Sequence, residues 1–344
     1  MKDFQLPKKK RRLFIKKNPN PKKQKDKIVA PSQKLQKTPK FNFLAAHKDL
    51  FLFSIPLILA IVFLTIYTID HKLRIDIAAN KLSAALSNDT TPFPVLNYPI
   101  SPYLSAKAAI VQEADSQAVL FSKNPNLRFS TASTAKIMTA LVALEYYQPD
   151  SIIIIKSYYT PGSGLNLQLS DGFYFRDLIY AMMLPSANDA AAAIADNYPG
   201  GRTGFVARMN EKAKELHLTD THFSDGIGLD DDENYSTVVD MGRLSVIAMR
   251  NSTFAKVVGT HQKVIFNVNK TQQYALTNLN RLLGYDGVNG IKTGTTEGAG
   301  EVLVTSAEIK GRTFIIVTMN SQDRFGDTAT LLDYISNNLS YVNP

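Results

Sequence analysis

Twenty consecutive residues, Leu50 to Ile69, carry no charge. At 1.5 Å per residue, a helix of that length matches the roughly 30 Å hydrocarbon core of a bilayer. Pro56 falls in its second turn, where it kinks such a helix rather than abolishing it. The run also divides the chain into two unlike parts. Residues 1–48 hold 16 of the 39 lysines and arginines but only Asp3 and Asp26 of the 30 acidic residues, which leaves the rest with 23 basic against 28 acidic groups. The net charge of +9 therefore belongs to a basic tail on a mildly acidic body. Between Asp70 and Gln117 the basic residues are Lys72, Arg74, Lys81 and Lys107. The positive-inside rule then predicts a single-pass cell-membrane protein with a cytoplasmic amino terminus and an extracytoplasmic body. A cleaved signal peptide fits less well, because its apolar region usually runs about 7–15 residues and no clear small-x-small site follows here.

The tail is rich in Lys, Pro, Gln and Asn and reads as disordered. Pro7-Lys8-Lys9-Lys10-Arg11-Arg12 resembles a nuclear-localisation or nucleic-acid patch, but beside an apolar run it fits anionic lipid heads better. No nucleic-acid partner is expected. Past the run, Asp70 to Leu86 allows a short amphipathic helix, and Thr91-Pro92-Phe93-Pro94 through Pro99 and Pro102 reads as a stiff stalk. The predicted organisation is a tail over 1–48, a signal-anchor helix over 49–70, a stalk over 71–104 and a folded domain over 105–344. The chain has no cysteine, which excludes disulfides and thiolate metal sites. None of its five histidines is spaced as a metal pair, so no metal or cofactor is expected.

Within the folded part, Ala106–Glu113 and Ala118–Ser122 read as a hairpin around Asp115-Ser116. A helix follows to about Tyr147, then a short strand over Ser151–Tyr158 and an alternating stretch, Leu165 to Leu169. Helices are predicted over Phe175–Leu184, Asp189–Tyr198, Gly201–Leu216, Met241–Arg250 and Thr253–Val258. Strands return at Gly290–Thr293, Glu301–Ile309 and Arg312–Asn320, and a helix from about Thr328 to Asn338 closes the domain. Strands at both ends with helices between them predict an α/β (α+β) fold. Its central antiparallel sheet would be built from both ends of the domain, with helices on its faces and a mostly helical lobe inserted.

Three stretches carry chemistry. In Ser130-Thr131-Ala132-Ser133-Thr134-Ala135-Lys136, Ser133 and Lys136 lie three apart where a helix begins, so hydroxyl and amine share a face. Ile137, Ala140, Leu141 and Leu144 continue it as a helix buried along one side. In Leu184-Pro185-Ser186-Ala187-Asn188-Asp189, Pro185 ends one helix and Asp189 can cap the next. Ser186 and Asn188 would then face one way from a short turn. In Val288-Asn289-Gly290-Ile291-Lys292-Thr293-Gly294-Thr295-Thr296, strand alternation points Lys292 and Gly294 one way, Ile291 and Thr293 the other. Gly294 clears space for a close neighbour, and as an edge strand the segment could take a peptide by strand addition. Each stretch alone also reads blandly, as a capped helix, a helix connection and a surface strand.

In this order S-x-x-K, S-x-N and K-T-G resemble the serine-type D-alanyl-D-alanine carboxypeptidases, the low-molecular-weight penicillin-binding proteins of the β-lactamase superfamily. The resemblance runs from about Lys107 to Asn320. It includes Thr221-His222-Phe223, Gly228-Leu229-Asp230, Tyr235-Ser236-Thr237, Asp240-Met241 and Ala299-Gly300. It implies a β-lactamase/transpeptidase-like fold. The implied activity is removal of the terminal D-alanine from peptidoglycan stem peptides through an acyl-enzyme on Ser133, with β-lactam antibiotics as inhibitors. By the same resemblance, Lys136 is the base, Lys292 the second cation, Ser186 the proton relay, and Asn188 the holder of Lys136 and the substrate amide. Thr293 and Thr295, flanking Gly294, would bind the terminal carboxylate, and the N–H groups of Ser133 and Thr295 would form the oxyanion hole. Glu301 stands where the family usually has an aromatic or apolar residue. A class A β-lactamase shares the three motifs but needs a Glu-x-x-Leu-Asn loop, and no such string lies between Ser133 and Lys292. A membrane-tethered penicillin-binding sensor without peptide turnover is the other alternative.

Overall fold

The computed structural model describes residues 58–76, 92–97, 100–158 and 162–342. The chain forms two units, residues 1–88 and 89–344. In the first, α1 covers residues 58–76, and its described side chains are exposed all round, Ile58, Phe63, Leu64 and Ile69 among them. No helix among the described residues is long and apolar enough to cross a membrane. The basic tail, and positions 50–57 of the uncharged run, lie outside the described residues.

The second unit begins earlier than predicted. Part of the expected stalk is a strand, β1 (Phe93–Leu96), whose antiparallel partner is the last strand of the chain, β13 (Leu339–Val342). The body is organised by a five-stranded antiparallel sheet. In spatial order it comprises β10 (Val288–Thr296), β11 (Gly300–Ile309), β12 (Arg312–Ser321), β2 (Ala108–Glu113) and β3 (Val119–Lys123). Two strands thus come from the start of the domain and three from its end, and β10 is an edge, as predicted.

Period-two alternation explains why β2 and β12 are apolar almost throughout. Ile110, Ile315 and Val317 enter the larger core, shared with the helical lobe. Val111, Phe314 and Ile316 enter a second core against Leu331, Leu332 and Ile335 of α8 (Arg324–Asn338). That helix starts a turn before the predicted Thr328, because Asp323 caps it by accepting from the N–H of Gly326 at 3.0 Å. Asp327 in its first turn ties the two ends of the domain together. Its carboxylate accepts from Ser105 N (2.8 Å), Ser105 Oγ (2.8 Å), Ala106 N (2.7 Å) and Ser321 Oγ (2.6 Å).

The lobe contains α2 (Lys136–Tyr146), α3 (Phe175–Met183), α4 (Asn188–Asn197), α5 (Gly201–Glu215), α6 (Val238–Met249) and α7 (Ser252–Val258). Three ribbons join them: β4 (Phe129–Ser130) with β7 (Tyr235–Ser236), β5 (Ile152–Ile154) with β6 (Gly172–Tyr174), and β8 (Gln262–Phe266) with β9 (Gln273–Thr277). The predicted strand over Ser151–Tyr158 shrinks to β5. The alternating Leu165–Leu169 stretch forms no strand, because the Asp189 carboxylate takes the N–H groups of Leu165 and Leu167. The predicted one-sided burial of α2 also needs correction. Every residue from Lys136 to Ala143 is buried, since the helix runs through the middle of the core.

Candidate active site

The segment around Ser133 is bent before it is helical. Ala132 sits at φ +45°, in the left-handed region that disfavours a side chain, and Ala132–Ala135 then form a 3-10 turn leading into α2. Thr131 precedes the turn without making a side-chain cap. The turn still puts Ser133 and Lys136 on one face, with Lys136 Nζ 2.8 Å from Ser133 Oγ.

Lys136 is wholly buried, and its amine also meets Asn188 Oδ1 at 2.7 Å and the Ile227 carbonyl at 3.0 Å. Burial lowers its pKa from the ordinary 10.5 to about 7, against the pull of Asp225 and Asp189. A neutral amine has two N–H bonds and one lone pair. The Asn188 oxygen and the Ile227 carbonyl can only accept, so they take both N–H bonds. The lone pair is then left facing the Ser133 hydroxyl. This is the geometry of a serine with its base in place.

The surrounding loops fix that geometry. The Asp225 carboxylate accepts from the N–H groups of Ile227 (2.6 Å), Gly228 (2.6 Å) and Leu229 (3.2 Å), so the Ile227 carbonyl is held where Lys136 meets it. Thr139, one turn along α2, donates to the Gly226 carbonyl at 2.6 Å. Asn188 opens α4 as its first residue, and Ala187, not Asp189, occupies the cap position. The predicted cap role fails because Asp189 already lies in the first turn, with its carboxylate turned to the 165–167 backbone. Ser186 is buried on the preceding turn at φ +64°. Among the described residues it makes no hydrogen bond to Ser133, Lys136 or Lys292.

Gly294 packs β10 against the Ala132-Ser133 backbone. A Cβ there would stand 2.9 Å from Ala132 Cβ and 3.1 Å from Ser133 N, so glycine is required for this approach. Lys292, two residues earlier and on the same face, is buried and bonds the Thr293 carbonyl at 2.9 Å. Burial holds its pKa well below the ordinary value, and the charges of Lys136 and Arg324 lower it further. Thr293 is buried beside it, and Thr295 Oγ1 donates to the Gly294 carbonyl at 2.8 Å.

Two residues were missed by sequence reasoning. Arg324 Nη1 donates to the Gly294 carbonyl at 2.7 Å and also to Thr295 Oγ1. Its backbone N–H is fixed by Glu301 Oε2 at 2.9 Å, so the unusual Glu301 steadies the start of α8. Burial lowers the Arg324 pKa, Glu301 opposes that, and Arg281 adds to it. Asp230 joins the end of β10 to the approach to Ser133, accepting from Thr296 Oγ1 (2.5 Å), Gly298 N (2.9 Å) and Ser130 Oγ (3.3 Å). Nothing in local spacing marks Arg324, whereas Asp230 lay within a tract the resemblance had already singled out.

A serine with a pre-aligned amine, a second buried amine and a guanidinium at one strand edge suits acyl transfer to and from a substrate bearing a carboxylate. Comparison with known proteins agrees. The family model for D-alanyl-D-alanine carboxypeptidase, Peptidase_S11, matches residues 97–323. The D-alanyl-D-alanine carboxypeptidase DacF of Bacillus subtilis is 31% identical over 240 residues, covering 67% of this chain and 61% of its own length. The D-alanyl-D-alanine carboxypeptidase of Streptomyces sp. strain K15 is 32% identical over 280 residues, covering 75% and 95%. The crystal structure of the Streptomyces K15 DD-transpeptidase superposes with a TM-score of 0.65 at 33% identity, covering 68% of this chain and 98% of that one. On its motifs, fold and relatives, the chain belongs to the D-alanyl-D-alanine carboxypeptidase family of serine peptidases, the low-molecular-weight penicillin-binding proteins.

Proposed function

We propose that this protein is a serine D,D-carboxypeptidase that releases the terminal D-alanine of peptidoglycan stem peptides. The observation that carries this reading is the buried Lys136 amine, bonded at once to Ser133, Asn188 and Ile227. Lys136 takes the Ser133 proton as Oγ attacks the carbonyl between the two D-alanines. The oxyanion forms at the N–H groups of Ser133 and Thr295, each such donor contributing about 3–4 kcal/mol to barrier lowering in comparable sites. Ser186 passes a proton to the departing D-alanine amine, and burial rather than the charge of Lys292 holds Lys136 neutral. The terminal carboxylate is held by Thr293 and Thr295, and Arg324 supplies the matching cation. Water then resolves the ester on Ser133. A β-lactam acylates the same serine, because its strained amide presents a similar carbonyl and carboxylate. The expected result is D-alanine release from a peptide ending in D-Ala-D-Ala. Penicillin should leave one covalent adduct that peptide mapping assigns to Ser133. An adduct on any other residue would overturn the assignment.

The β-lactamase alternative is not favoured by the comparisons, which find carboxypeptidases, a transpeptidase and D-alanyl-D-alanine endopeptidases such as that of Escherichia coli strain K12. We also propose that residues 50–69 anchor the chain in the cell membrane, with the catalytic unit extracytoplasmic and residues 1–48 against anionic lipid. The charge asymmetry and the all-round exposure of apolar side chains over 58–69 support this. The full chain should remain with membranes through 1 M salt and alkaline carbonate and be released by detergent. Release by salt alone would reduce the attachment to surface charge.

A further inference from the structure

The two N–H groups proposed for the oxyanion hole belong to elements far apart in the chain. Ser133 stands in the turn that leads into α2, and Thr295 lies near the end of β10. Their spacing matters, because a donor serves an oxyanion only from about 2.7–3.1 Å. Gly294 lets the two backbones approach, since even a Cβ there would stand 3.1 Å from Ser133 N. Packing of this kind limits how near they come but does not stop them parting.

Asp230 does. Its Oδ1 accepts from Thr296 Oγ1 on β10 at 2.5 Å and from Ser130 Oγ on β4 at 3.3 Å. Its Oδ2 accepts from Gly298 N at 2.9 Å, on the turn that follows β10. One carboxylate thus bonds to both sides of the gap, next to Thr295 on one side and just ahead of Ser133 on the other. Thr296 carries the constraint into the turn, because the same hydroxyl accepts from Ala299 N at 3.1 Å while it donates to Asp230. Gly298 is fitted to the carboxylate. A Cβ there would stand 3.0 Å from Asp230 Oδ1 and 3.1 Å from its Cγ. Ser130 is held in turn by the β4–β7 ribbon, where it stands opposite Tyr235. Partial desolvation pulls the Asp230 pKa up, but hydrogen bonds from Thr296, Gly298, Ser130 and Ala299 outweigh it and leave it below the ordinary carboxylate value. Among the described residues Asp230 makes no hydrogen bond to Ser133, Lys136 or Lys292.

We infer that Asp230 is a positioning residue for acyl transfer: by clamping the end of β10 to the chain ahead of Ser133, it sets the spacing of the Ser133 and Thr295 N–H groups. The inference rests on the acyl-transfer reading above and adds to it a residue that acts without touching substrate. Its effect falls on the transition state, because the tetrahedral oxyanion needs both donors at once and the bound peptide does not.

The test compares the full-length protein with its Asp230→Ala, Asp230→Asn and Thr296→Val variants. With Nα,Nε-diacetyl-L-lysyl-D-alanyl-D-alanine, Asp230→Ala should lower kcat about 10–100-fold, short of outright loss of an oxyanion donor. KM should change by less than about twofold. Asp230→Asn keeps a side-chain acceptor and should stay within about threefold of the parent. The kcat/KM limb near pH 7 that Lys136 sets should not move in any of the three. The sharpest probe is N-acetyl-D-boroalanine, whose boron takes the Ser133 oxygen and becomes a tetrahedral anion in the same hole. Its inhibition constant, read by competition with penicillin labelling, should rise about tenfold or more in Asp230→Ala. Calorimetric binding of the peptide to the Ser133→Ala protein should stay the same when Asp230→Ala is added. Equal boronate affinity in parent and Asp230→Ala overturns the inference, and so does an Asp230→Asn variant as slow as Asp230→Ala. A loss of peptide binding as large as the loss of kcat also overturns it. Thr296→Val removes one bond of the clamp and should weaken the boronate about fivefold. It decides the matter by itself if Asp230→Ala does not fold, unchanged affinity again being the overturning result. A parent that releases no D-alanine sinks the carboxypeptidase reading alone, because the boronate adduct needs only Ser133 and its two donors.

Discussion

Replacing Lys136 with methionine should lower both penicillin acylation and D-alanine release by about 10²–10⁴-fold, the range for loss of a positioned general base. Methionine keeps most of the buried volume, so the thermal midpoint should move by only a few degrees, and circular dichroism of the variant should overlay that of the parent. The pH profile carries the same argument. Lys136 must be neutral to take the Ser133 proton, and burial sets its pKa at about 7. Acylation kcat/KM should therefore rise with pH through a limb near 7 and level off above it, and Lys136→Met should lose that limb. Folding stability follows the same sign. The folded value lies below the ordinary 10.5, so the unfolded chain binds more protons between the two. The contribution of Lys136 to stability consequently grows as pH rises from about 7 toward 10.5 and is absent below that window. A flat acylation profile between pH 5.5 and 8.5 would remove Lys136 as the base.

Gly228→Ala should be nearly as damaging, although the residue bears no functional group. Gly228 lies at φ +90°, and a Cβ there would run into the carbonyl of Ala132 and stand 3.1 Å from Ser133 N. Both neighbours are backbone, so neither can swing aside. The loop or the nucleophile turn must move, and the left-handed conformation itself penalises alanine. A stability loss of about 2–4 kcal/mol is expected from urea unfolding. The surviving folded fraction should acylate about 10²-fold more slowly, because a shift near 1 Å misaligns Ser133 and the Ile227 carbonyl together. Parent-like acylation in this variant would show that the 225–229 loop does not position the base.

The chemical groups of this site were legible where they sit in short-range patterns. Ser133 and Lys136 are one turn apart, and Lys292 and Gly294 share a strand face by simple alternation. The two-ended sheet was legible because β2, β11 and β12 are long apolar runs bounded by turns. What escaped was whatever depends on distant partners or on backbone alone. Arg324 reaches β10 only because α8 is tied back to Ser105 by Asp327, a contact between residues 222 positions apart. The Ile227 carbonyl that steers the Lys136 lone pair has no side-chain identity to read. Phe93–Leu96 looked like stalk because Pro92 precedes it and Pro94 lies within it, and its partner comes at the other extremity of the domain. The left-handed backbone at Ala132 and Ser186 falls on residues that give no hint of it.

The pairing of β1 with β13 has a topological consequence. Phe93 stands opposite Val342 in that ladder, so two backbones from the extremities of the catalytic unit run about 4.8 Å apart. The path of the backbone through this unit is in effect a nearly closed ring. Splicing those extremities through a short linker, and reopening the ring at the exposed Lys310-Gly311 hairpin, would yield a permuted enzyme with every reacting atom in its original place.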